Sequence, residues 1–119
     1  MDFQNREIKS DDYHDYVIKD GRLIGEFEQM YKNSRDIPWH QDRQEDWLEV
    51  QVPTMLLKQY GQFDSMVDFG CGLGYFLDTI YRLCGSNSCN LNGYDIAQTA
   101  CSKGKEIFPH LIQPLWVKR

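Results

Sequence analysis

Three glycines and two aspartates make up the part of this chain best equipped for chemistry. Gly70, Gly72 and Gly74 stand at alternate positions in VDFGCGLGYF, Val67 to Phe76. Asp68 lies two residues before the first of them, and Asp95 sits near the end of a second, weaker apolar run, CNLNGYDI. Glycine accepts positive φ and lets a ligand come close to the main chain. A helix starting just after the loop turns unpaired N–H groups toward the same space, which favours a polar or anionic group there. In an open parallel sheet that space lies beyond the carboxyl ends of the strands, where ligands bind.

Spacing narrows the ligand. The dinucleotide fingerprint G-x-G-x-x-G matches Gly70 and Gly72 but meets Tyr75 where the third glycine belongs. That position normally lets helix and strand pack closely. A triphosphate loop needs G-K-[ST], and GCGLGYF lacks it. What remains is G-x-G-x-G with a preceding acid and a second acid one strand later.

V-D-F-G-C-G-L-G resembles the first signature motif of class I S-adenosylmethionine-dependent methyltransferases, and Asp95 in NGYDIA stands where that family carries an acid at the end of its second strand. The following AQTACSKGKEIFP also resembles the family's second helix, which runs into a Phe-Pro pair, here Phe108-Pro109. The resemblance covers about Ser65 to Pro109. It implies that the backbone of Gly70, Gly72 and Gly74 cradles the methionine and ribose part of S-adenosyl-L-methionine, and that Asp68 holds the loop and lies near the methionine amino group. It implies further that Asp95 grips the ribose hydroxyls and Ile96 touches the adenine, while Cys71 and Leu73 contribute backbone. A carboxylate can accept two hydroxyl donors at once, so the residue type at 95 suits that role. YKNSRDIPWHQD resembles the cap segment of some small-molecule members, in which an aromatic residue helps close the site.

Structural readings stand beside these. The glycines alone would serve a tight strand-to-helix turn. Asp95 precedes an apolar helix and could cap it. Asp68 could be a buried acid satisfied by loop N–H groups. Trp39 and His40 read as packing and surface residues, His14 and His110 as surface residues, and Tyr13, Tyr16 and Tyr31 as partly buried.

The elements that must position the loop follow from periodicity. Met1 to Asp42 is polar, aromatic and suited to covering another surface, with a turn at Asp20-Gly21, a short helix in GEFEQMYKNS and a loop in RDIPWHQD. From residue 43 the α/β part begins. Trp47, Val50, Thr54 and Leu57 lie on one helical face, which Leu48, Val52, Met55 and Leu56 widen, with Pro53 expected to kink or divide the helix and Gly61 to stop it. SMVDFG suits a buried strand. Phe76, Ile80, Leu83 and Cys84 mark a helix ended by Gly85, and Ala97, Ala100, Cys101, Gly104 and Phe108 a second, with a small-residue face. Helices alternating with strands predict an α/β fold with a parallel sheet, and the resemblance implies that the sheet is Rossmann-like. The expected domains are a cap, 1–42, and a partial cofactor-binding domain, 43–119.

Composition sets the frame. The chain has 119 residues, enough for one modest domain, and a formal net charge of −5. That charge argues against a nucleic-acid partner and favours a small-molecule methyl acceptor. No apolar run approaches the roughly 20 residues that span a bilayer, and the N-terminus lacks a signal peptide's apolar core, so a cytoplasmic location is expected. Cys71, Cys84, Cys89 and Cys101 form no C-x-x-C pair, which argues for free thiols and against zinc.

Complete members of the resembled family build a wider sheet. The sequence predicts only its first two parallel strands, because HLIQPLWVKR is interrupted at Gln113-Pro114. The ending is expected to mark a truncation or an altered reading frame, and the exposed sheet edges to favour self-association. No residue is identified as a catalytic base. The competing functions are an inactive fragment that at most binds cofactor, and a fragment of an NAD-dependent oxidoreductase.

Overall fold

The computed structural model describes residues 8–60, 63–84, 89–111 and 114–116. A 3₁₀ turn, Tyr13–Tyr16, leads into a small antiparallel hairpin, β1 (Ile18–Lys19) and β2 (Arg22–Leu23). Asp20 and Gly21 both have positive φ, 50° and 72°, which matches the twist of a two-residue hairpin turn. Helix α1 (Phe27–Asn33) and a 3₁₀ segment, Pro38–Arg43, complete the cap. The α/β part follows as α2 (Leu48–Tyr60), β3 (Ser65–Phe69), α3 (Tyr75–Cys84), β4 (Asn90–Asp95), α4 (Gln98–Ile107) and β5 (Pro114–Trp116).

β3, β4 and β5 form one parallel sheet in that order. The sequence reading of two strands is thus corrected to three. Pro114 opens β5 opposite Gly93, and proline is tolerated as the first residue of a strand, where its missing N–H matters least. The reading of β3 as a buried strand is also corrected. Among the described residues β3 is an edge, paired only with β4, and Val67 and Phe69 are 45% and 80% exposed. Residues in register on parallel strands share a face, so Phe69 stacks on Tyr94 at 5.4 Å between ring centroids. The other face carries Met66, Leu91 and Gly93 toward the helices: Leu91 lies in a core with Leu77 and Ile80, and Met66 packs against it.

Pro53 neither divides nor ends α2, which runs as one helix through it. The carbonyl that its ring leaves unpaired is that of the exposed Glu49. Leu48, Val52, Met55 and Leu56 do not widen the buried face; all four are exposed, and Val50 is the buried residue of α2. In α3 Ile80 is buried as expected and Leu77 joins it; Phe76 is half-buried against the same core, Leu83 is exposed, and the Cys84 side chain lies outside the described residues. The small face of α4 is as expected: Ala97, Ala100, Cys101, Gly104 and Phe108 are all buried. Gly61 and Gly85 lie outside the described residues. Among the described residues, no helix is long and apolar enough to cross a membrane.

The cap and the α/β part share a core. Tyr16, Met30 and Tyr31 of the cap pack with Leu73, Ala97 and Ala100. Tyr16 and Tyr31, expected to be partly buried, are 0% and 5% exposed. Burial is possible because each hydroxyl has a partner: Tyr16 reaches the carbonyls of Ser10 and Ile8, and Tyr31 accepts from Gln41. α1 and α4 are fastened at two points. Glu28 accepts from the Thr99 N–H (2.6 Å) and hydroxyl (3.2 Å), and Lys103 Nζ donates to the Tyr31 carbonyl. α4 has no side-chain cap at Ala97, so Glu28 satisfies its first turn from another helix. Glu28→Ala is expected to lower unfolding free energy by about 1 kcal/mol, the usual scale of a lost N-terminal cap. Urea denaturation followed by circular dichroism reads this directly.

Candidate functional site

The glycine loop leaves β3 and is drawn at once against β4. Gly70 N–H and Cys71 N–H both donate to the Tyr94 carbonyl, at 2.7 and 3.1 Å. Gly70, Gly72 and Gly74 all have positive φ, 75°, 56° and 96°, so each uses a freedom that L side chains rarely have. Gly72 has a second reason to be glycine. A Cβ there would stand 2.6 Å from Gln41 Oε1 and 2.8 Å from the Tyr31 hydroxyl.

Gly93 matters equally and was missed in the sequence. A Cβ on it would lie 2.7 Å from both Cys71 Sγ and Leu77 Cδ1. A bare position in β4 therefore lets the loop and the first turn of α3 settle onto the sheet. The available signal was a glycine inside a strand, which marks a close approach. Gly93→Ala is expected to destabilise the fold by about 1–3 kcal/mol through overpacking, readable as a lower urea midpoint.

Asp95 joins the loop to the next element. Its Oδ2 accepts from Gly72 N–H and its Oδ1 from Ala97 N–H, each at 2.8 Å. It does not cap α4, where Ala97 holds the cap position. A carboxylate has roughly four lone-pair sites, so two N–H partners leave room for two further donors.

Asp68 is half-buried and close enough to Asp95 for their charges to interact. Asp68 does not hold the loop, and loop N–H groups do not satisfy it: no hydrogen-bond donor among the described residues reaches its carboxylate, and the loop is tied down by the Tyr94 carbonyl and Asp95 instead. Burial, and secondarily the Asp95 charge, raise its pKa above the ordinary 3.8. A carboxyl with a raised folded pKa holds its proton more tightly folded than unfolded. Its contribution to stability is greatest in acid and is lost as pH rises from 3.8 through the raised value. Asp68→Asn removes that loss. The variant should denature at higher urea than the parent at neutral pH, with the difference vanishing in acid; parallel pH profiles for the two proteins would refute this.

Two chambers meet at the loop. A cleft of about 470 Å³ is walled by Phe27, Tyr31, Trp39, Phe69, Tyr94 and Ile96, with Gly70 and Asp95 completing it. A more polar chamber of about 320 Å³ is lined by Gln41, Gln44, Asp68, Gly72 and Tyr75 among others. Tyr31, Trp39 and Gly70 border both. Cys71 is buried, and burial pushes its thiol pKa well up, so it is an inert, protonated side chain rather than a nucleophile.

Of the residues expected at the site, Asp68, Gly70, Cys71, Gly72, Asp95 and Ile96 line the two chambers, while Gly74 shapes the entry to α3, its carbonyl accepting from Asp78 N–H at 2.9 Å. Trp39, read as a packing residue, belongs to the site. It and His40 hold positive φ, 54° and 51°, uncommon for non-glycine residues and a form of strain that concentrates where function requires it. The Ile37-Pro38 step pointed only to a loop; the observed 3₁₀ segment and its left-handed pair bring Trp39 over the cleft, where it neighbours Phe27 (6.2 Å) and Tyr13 (5.7 Å). Gln41 was also missed: its carbonyl accepts from Leu73 N–H at 3.3 Å, joining the cap to the loop.

No protein-family model, curated protein or solved structure matches the chain.

Proposed function

We propose that this chain binds S-adenosyl-L-methionine and forms the cofactor-binding part of a methyltransferase acting on a small molecule. The observation that carries this reading is Asp95: a carboxylate tied to the Gly72 N–H, with two acceptor sites free, beside a cleft of aromatic walls. Such a cleft suits a flat heteroaromatic ring joined to a vicinal diol. The polar chamber beyond Gly70 offers Asp68, whose carboxylate is costly to keep ionised when empty and would be relieved by a cationic group.

In this reading Phe69, Tyr94, Trp39 and Ile96 hold the adenine, Asp95 accepts from the ribose hydroxyls and Asp68 pairs with the amino group. The cofactor supplies an electrophilic methyl group for in-line transfer to a nucleophile. The chain's own part is binding and orientation, which can provide a large share of such a rate enhancement. The acidic composition favours a small acceptor over nucleic acid. A nicotinamide-dependent oxidoreductase fragment is the weaker alternative. Tyr75 opens α3 and packs edge-on against Phe108 at 4.9 Å, where a dinucleotide loop keeps glycine.

Calorimetric titration with S-adenosylmethionine, S-adenosylhomocysteine and NAD tests the reading. S-adenosylhomocysteine is expected to bind saturably, and Asp95→Ala to weaken it by about tenfold or more. Because Asp95 also holds the loop, Phe69→Ala provides a check: this wall residue is 80% exposed, so its loss should weaken binding while lowering the melting temperature by no more than the few degrees that its stack on Tyr94 is worth. Saturable binding of NAD alone overturns the proposal, and binding of none of the three points to an inert fragment.

A further inference from the structure

Tyr31 is 5% exposed, yet it borders both chambers, and its hydroxyl lies against Gly72. The hydroxyl oxygen accepts from Gln41 Nε2 at 2.9 Å. Gln41 is itself fully engaged in this direction, since Nε2 also donates to the Pro38 carbonyl (3.2 Å) and its carbonyl accepts from Leu73 N–H (3.3 Å). A phenol that accepts one hydrogen bond still has its own proton to donate. Among the described residues nothing accepts that proton. Burial, the dominant influence, pushes the Tyr31 pKa up to about 12, so the proton remains in place across the neutral range. A buried, unused donor costs free energy unless something meets it.

We propose that Tyr31 is a ligand-facing hydrogen-bond donor at the junction of the two chambers, and that Gln41 is the residue that positions it. By donating to the phenol oxygen, the Gln41 amide leaves the hydroxyl only a donor's role. The partner is an acceptor atom of the ligand at the point where its nucleoside part meets its amino-acid part. This inference rests on the cofactor reading above.

Titration of S-adenosylhomocysteine into the parent chain, Tyr31→Phe, Gln41→Ala and the double variant tests it. Tyr31→Phe keeps the buried ring and is expected to weaken binding about five- to tenfold, the scale of one neutral hydrogen bond. Gln41→Ala should also weaken binding, and the double variant should lose less than the product of the two single effects, because the part of Gln41's effect that runs through Tyr31 is already gone in Tyr31→Phe. Effects that multiply in the double variant, or a Tyr31→Phe variant that binds like the parent, overturn the inference and leave the cofactor reading intact. A parent chain that does not bind at all overturns both. If Tyr31→Phe melts early, Gln41→Glu replaces it: a carboxylate takes the phenol proton for itself, so binding should weaken comparably, and unchanged affinity counts against the donor role.

Discussion

The Asp95 carboxylate bridges two backbone N–H groups, Gly72 in the glycine loop and Ala97 just before α4. The rest of the site depends on this bridge. It fixes the loop's middle residue relative to the end of β4, while Tyr94, one residue earlier, fixes the loop's start through its carbonyl. Adjacent residues of one strand thus hold the loop by opposite means, a backbone acceptor and a side-chain acceptor. Charged acceptors form the stronger kind of hydrogen bond, so the loop's conformation is set before any ligand arrives.

Close packing makes the bridge possible. Gly93 leaves β4 bare where Cys71 and Leu77 approach, and the resulting proximity brings Gly72 within reach of Asp95. From the other side, the cap presses Tyr31 and Gln41 onto the same glycine. The cap is therefore part of the site's structure as well as its cover. Its buried tyrosines share a core with Leu73 and Ala97, and Glu28 and Lys103 bind α1 to α4 at either end of their contact. Interiors packed this tightly pass small displacements on instead of absorbing them.

Part of what depends on local pattern is legible in the sequence. The alternation of strand and helix, the turn at Asp20-Gly21, the small face of α4 and the glycine loop itself are all readable from spacing and residue type. The failures share a different cause. β3 read as buried because an apolar run says nothing of how many strands flank it. The outer apolar residues of α2 read as core because periodicity finds a face without saying what faces it. Trp39 read as a packing residue and Gln41 escaped notice because their place depends on a left-handed backbone pair at Trp39 and His40, which no residue type there announces. Proline at 114 read as an interruption, whereas its position at the first residue of β5 is the one a strand tolerates.

The crowding at Gly72 has a consequence for how the motif is held in the sequence. The residue is pinned by the protein's own Tyr31 and Gln41 as well as by any ligand. Replacing it would harm folding even in a chain that bound nothing. Purifying pressure on this glycine would thus persist through loss of activity, and the loop's spelling can outlast its use. A signature of this kind records a packing solution as much as a working site.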